Sequence, residues 1–170
     1  MPAQAGTFRD LLLYMLWADR LMLAAARQVK TEDLTREAGV SFGSLLGTMA
    51  HMLGSQRLWL SRFLGRPLER IPSPDEYSDL QSWIAGSEET ASQIEAFLAG
   101  ISGDQLAGPL TWASIPDGAI RSLPLWQAVI HLVNHTTYHR GQVVSLLRQM
   151  GYPVASTDLI HFFNERAAAG

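Results

Sequence analysis

Apolar residues recur at a helical period through almost the whole chain, and this restricts the fold more than any other feature of the sequence. At about 100° per residue, Phe8, Leu11, Leu12, Met15, Met22, Leu23 and Ala26 share one side of a first helix, predicted from a cap at Thr7 to about Val29. Arg9, Asp10, Arg20, Arg27 and Gln28 lie opposite, and Asp19 interrupts the apolar stripe. A second helix is predicted from a cap at Ser41 to about Leu64, closed by Gly65 and Pro67. Its large apolar face carries Leu45, Leu46, Met49, Leu53, Leu60 and Phe63. Gly43, Gly47, Ala50 and Gly54 form a second face of small side chains, open to close approach by a neighbouring helix, with His51 beside it.

After the Pro-rich RPLERIPSPDEY, Ser78 and Gln81 read as a capping box that opens a third helix to about Ile101. Residues 102–122 read as an irregular connection, with LTWAS a candidate short strand. Ser122 and Pro124 start a fourth helix, which Gly151 and Pro153 end. A short last helix, capped by Ser156 or Thr157, covers Asp158 to about Ala168. The pattern predicts an all-α protein: a four-helix bundle with a short fifth C-terminal helix, one domain over residues 1–170.

Composition removes several function classes. With no cysteine, the chain offers no disulfide, no thiolate metal ligand and no thiol chemistry of its own. A net charge of −3 without a basic run argues against a nucleic-acid partner. The longest apolar run, LLLYMLWA, falls well short of the ~20 residues that a membrane span needs. MPAQAGTFRD lacks the basic and apolar regions of a secretion signal, so the expectation is a soluble cytoplasmic protein.

The segment HLVNHTTYHRG, residues 131–141, concentrates the chemistry. His131, His135 and His139 follow one another four apart on the fourth predicted helix and face inward or nearly so. Either His131/His135 or His135/His139 could present two imidazoles to one ion. All three cannot, because His131 and His139 are separated by about 12 Å of helix rise. By itself the HxxxH spacing marks hydrogen-bonded core histidines more often than a metal site, and a metal needs at least one further ligand, the only other histidines being His51 and His161.

Three stretches taken together are more specific. LLLYMLWADRLML, SFGSLLGTMAHMLGSQRLWLSRFLG and LWQAVIHLVNHTTYHRGQVVSLLRQMGYP resemble, in that order and over nearly the full length, the DinB/YfiT-like superfamily of small metal-binding helical bundles. The resemblance implies one divalent ion, zinc or nickel, held by His51, His135 and His139. Three neutral imidazoles leave a coordination position open, as catalytic sites do. It also implies a homodimer, and an activity like that of the superfamily's thiol-dependent S-transferases. There the metal would lower the pKa of a bound low-molecular-weight thiol or water for attack on a small electrophile. A metal-stabilised bundle without catalysis, expressed under stress, and a metal-dependent hydrolase are the competing readings. Because liganding imidazoles must be neutral, the ordinary histidine pKa predicts metal loss below about pH 6.

Around these ligands, His131 is expected to lie against the site without binding the ion. Asp19 either orients a liganding imidazole or pairs with Arg140, the second role being favoured. Tyr138 and Asn134 flank the pair and are candidates to touch substrate or cofactor. Trp17, Trp59 and Trp126 read as packing residues, His161 as a surface or packing residue, and Gly141 as a point of close backbone approach.

Overall fold

A computed structural model describes residues 2–66 and 68–169. Four long helices form its frame: α1 (Pro2–Ala26), α3 (Leu45–Phe63), α4 (Leu80–Gly100) and α6 (Leu125–Gln149). They pack as a closed ring, α1 on α6, α6 on α3, α3 on α4 and α4 on α1. One end of the bundle joins Met22 and Ala26 of α1 to Met49 and Leu53 of α3, Trp83 and Ile84 of α4, and Val143 and Leu147 of α6. The other joins Leu12 and Met15 to Leu60, to Ile94 and Leu98, and to Ala128 and Leu132. Thus α1 and α6 run one way and α3 and α4 the other. Between the two apolar ends lies a buried polar level holding Asp19, Gln56, Thr90, Thr136 and Arg140.

Short elements close the ends: α2 (Thr31–Thr35), a 3₁₀ turn at Pro74–Glu76, α5 (Gly103–Ala107), and α7 (Leu159–Ala169), whose Phe162 is buried. Residues 102–122, expected to be irregular, contain α5 and most of an antiparallel hairpin, β1 (Pro109–Ala113) and β2 (Ile120–Pro124), paired from Pro109↔Pro124 to Ala113↔Ile120. LTWAS does contribute the first strand. The second was missed because Ile120, Arg121 and Ser122 are all exposed, so IRSLP carries no alternating apolar signal.

Several boundaries shift for local reasons. Pro2, not Thr7, begins α1. Ser44, not Ser41, caps α3, its side chain accepting from the Gly47 N–H. The capping box of α4 is Asp79 with Ser82, one residue beyond the expected pair. Pro67, expected after the stop of that second helix, lies outside the described residues. The small-residue face of α3 receives loops, not a helix. A Cβ on Gly47 would strike the Phe42 carbonyl, and one on Gly54 would meet the Pro72 carbonyl at 3.0 Å. Gly141 has open space where a Cβ would be, so no backbone approaches there.

Candidate metal centre

His135 and His139 lie one turn apart on α6 and project toward α3, which offers His51 in return. One nitrogen from each imidazole lies within 4.8 Å of the others. The Nε2 atoms of His51 and His135 are 3.4 Å apart. Two ligands about 2.0–2.1 Å from a tetrahedral ion are separated by about 3.3–3.4 Å, so this pair already has ligand spacing. The centre therefore unites the three residues expected to hold a metal. His131, one turn earlier, is outside the group; its ring contacts His135 at 5.9 Å and Trp59 at 5.0 Å between centroids.

The surroundings fix two rings. His139 is buried, and its Nδ1–H donates to Gln142 Oε1 at 2.8 Å, leaving the Nε2 lone pair free. His51 lies flat against Phe42, with centroids 3.8 Å apart and planes at 13°. Phe42 reaches that position because Gly43 turns the chain at φ +73° and Gly47 has no Cβ to block the Phe42 carbonyl. Sequence reasoning overlooked both supports. Gln142 was discoverable three residues after His139, on the same helical face. Phe42 had no such signal, since only the loop fold carries it to His51.

The third ring is incomplete. The Nδ1 of His135 is buried without a hydrogen-bond partner among the described residues. Burial first, and then His139, push the His51 pKa down to about 4. His135 is also pushed down to about 4, by burial and then by His139, His51 and His131. Protons are thus disfavoured at His51 and His135, leaving imidazole lone pairs for a cation. Imidazole ligands suit zinc, nickel, copper or iron better than magnesium or calcium. The donor set fits a divalent transition metal.

The remaining candidates separate. Tyr138 is 66% exposed and sets its ring edge-on to His139 at 5.0 Å. Asn134 instead lines a cleft of about 600 Å³ with Tyr14, Thr137 and Arg140, away from the imidazoles, because it lies a quarter-turn from His135. Asp19 accepts from Gln56 Nε2 at 2.6 Å and from Arg140 Nη1 at 3.4 Å, so its partners lie in the buried level and not among the histidines. Burial raises its pKa against the opposing pull of Arg140. His161 is exposed, and Trp17 and Trp126 pack on Phe162 and Phe8.

A helical bundle in which imidazoles from two helices meet defines a class: small helical proteins with a histidine cluster that could hold a metal ion. Residues 1–167 match the sequence profile of the DinB family, and the chain belongs to that family. It is similar to Protein DinB of Bacillus subtilis (strain 168), with 26% identity over 152 residues that cover 85% of this chain and 87% of that protein.

Proposed function

We propose that His51, His135 and His139 hold one divalent ion, zinc or nickel, in an enzyme that turns a low-molecular-weight thiol or water against a small electrophile. The observation that carries this reading is the convergence of three imidazole nitrogens within 4.8 Å from α3 and α6. Three protein ligands leave room for an exogenous one, the composition of catalytic sites. A bound ion would supply Lewis acidity and lower the pKa of that exogenous group. The chain's own residues orient and shield: Gln142 holds the tautomer of His139, Phe42 holds the plane of His51, and Tyr138 offers a hydroxyl at the rim. With no cysteine in the chain, any thiol must come from a cofactor. Among the described residues no helix is long and apolar enough to cross a membrane.

Elemental analysis of tag-free protein tests the centre, with about one zinc or nickel per chain expected. A thiol-transfer and ester-hydrolysis screen then tests catalysis, which His135→Ala should abolish in a folded protein. Loss of metal without any activity in the metal-loaded parent supports the second reading, a structural clip between α3 and α6. That reading is favoured by the position of the centre across the α3–α6 seam, and it predicts a large fall in Tm on chelation. We also propose a homodimer, supported by the exposed Ile130, Ile160 and Phe163. Light scattering at micromolar concentration should give twice the chain mass.

A further inference from the structure

Next to Trp59, which meets His131, stands a cation that no carboxylate neutralises among the described residues. Arg62, in the last turn of α3, places its Cζ 4.6 Å from the ring centroid of Trp59 and 5.4 Å from that of Trp112. The two indoles meet edge-on at 5.3 Å, Trp59 from α3 and Trp112 from β1. Trp59 also touches His131, which touches His135. The hairpin thus brings Trp112 over the edge of the α3–α6 seam that leads to the metal centre.

Seven other arginines each have a carboxylate within 3.8 Å: Arg20, Arg27, Arg36, Arg70, Arg121, Arg140 and Arg166. Arg62 has none among the described residues, and its guanidinium makes no hydrogen bond there. It is nonetheless half-buried, and burial lowers its pKa from the ordinary guanidinium value. Packing on indoles uses the faces of a guanidinium and leaves its edge, a fork of N–H donors, free. That fork matches a carboxylate bidentately. Arg62 is the one permanent cation in this cluster, which suits a monoanionic carboxylate better than a phosphate dianion.

We propose that Arg62, held by Trp59 and Trp112 beside His131, anchors the carboxylate of an elongated small molecule whose reactive end lies at the His51–His135–His139 centre. The second half of this statement rests on the function proposed above; the anchor itself does not. His51 and Arg62 are three turns apart on α3, about 16 Å of helix rise. The ligands selected are therefore acids whose reactive atom lies several bonds from the carboxylate, with a body that can rest on Trp59 and His131. Peptide-like thiols and medium-chain acids meet that description.

Two titrations of the full chain test it. In metal-free protein, the indole N–H resonances of Trp59 and Trp112 should shift saturably with hexanoate but not with 1-hexanol. Arg62→Gln should remove the hexanoate response, and Arg62→Lys, which keeps the charge, should retain part of it. In zinc-loaded protein, calorimetry should show glutathione binding about tenfold more tightly than its diethyl ester, the scale of one charge-assisted pair. Arg62→Gln should equalise the two. Equal responses to hexanoate and hexanol, or an undiminished glutathione preference in Arg62→Gln, would overturn the anchor. Failure to bind either zinc or nickel, with an Arg62-dependent hexanoate response intact, would remove the proposed function and leave the anchor standing.

Discussion

Two polar clusters occupy the middle of α6, and they differ in completeness. On one side Arg140, 1% exposed, donates to Tyr14 Oη at 2.8 Å, to Thr137 Oγ1 at 2.9 Å and to Asp19, while Gln56 supplies Asp19 with a second donor. On the other side His51 and His135 face each other, and His135 Nδ1 has no partner among the described residues. The first cluster is closed by protein groups alone and ties α1, α3 and α6 together. The second leaves imidazole nitrogens facing one another, which suits the metal proposed above. Buried polarity that meets its own partners ties helices together, and buried lone pairs that converge are available to a ligand.

Breaking the closed cluster should have the largest effect on folding. Arg140→Ala leaves the Asp19 carboxylate buried beside Gln56 alone, and urea unfolding should show a loss of about 3–5 kcal/mol. The double replacement Asp19→Asn/Arg140→Met should recover most of that loss, because it removes both charges together. If Arg140→Ala unfolded like the parent, the contrast between the clusters would collapse.

The open cluster should respond in the opposite way. His135→Ala should lower zinc affinity at least 100-fold by competition with a chelating dye, while metal-free stability changes by less than about 1 kcal/mol, since the orphaned nitrogen disappears with its ring. Gln142→Leu comes next: losing the acceptor on His139 Nδ1 should weaken zinc binding about tenfold without removing it. Phe42→Leu should have the smallest effect, a few-fold loss, because it frees the His51 plane but removes no ligand.

Acid sharpens the same comparison. His51 and His135 have folded pKa values near 4, below the ordinary 6.5, so between those values the unfolded chain binds more protons than the native one. Their contribution is complete above pH 6.5 and is lost as pH falls through about 4. The Tm of metal-free wild type should therefore decline across that window, and the decline should be shallower in a His51→Ala/His135→Ala variant. The same shift corrects the simple expectation of metal loss below about pH 6. Protons compete weakly with a metal at these two imidazoles, so zinc content should persist at pH 5.5 and fall on approach to 4.

What was legible in the sequence was whatever repeats locally. The 3.6-residue period placed the four long helices, and the four-residue spacing of His135 and His139 put two imidazoles on one face, because both follow from the geometry of a single helix. Asp19 in an apolar stripe announced a partner for the same reason, and Arg140 proved to be that partner. Other features depended on how separate segments meet. His51 reaches its neighbours through the α3–α6 seam, on a face whose glycines admit the Phe42 loop instead of a helix. Trp112 comes over Trp59 and Arg62 only because an exposed, patternless segment pairs as β2 with β1. The sequence by itself determined the helices and the inward pair. The tertiary structure decided how His51, named in the sequence only through a family resemblance, meets that pair, and with it the Phe42 stack and an arginine without a carboxylate among the described residues, because contacts between segments distant in the chain leave no period behind them.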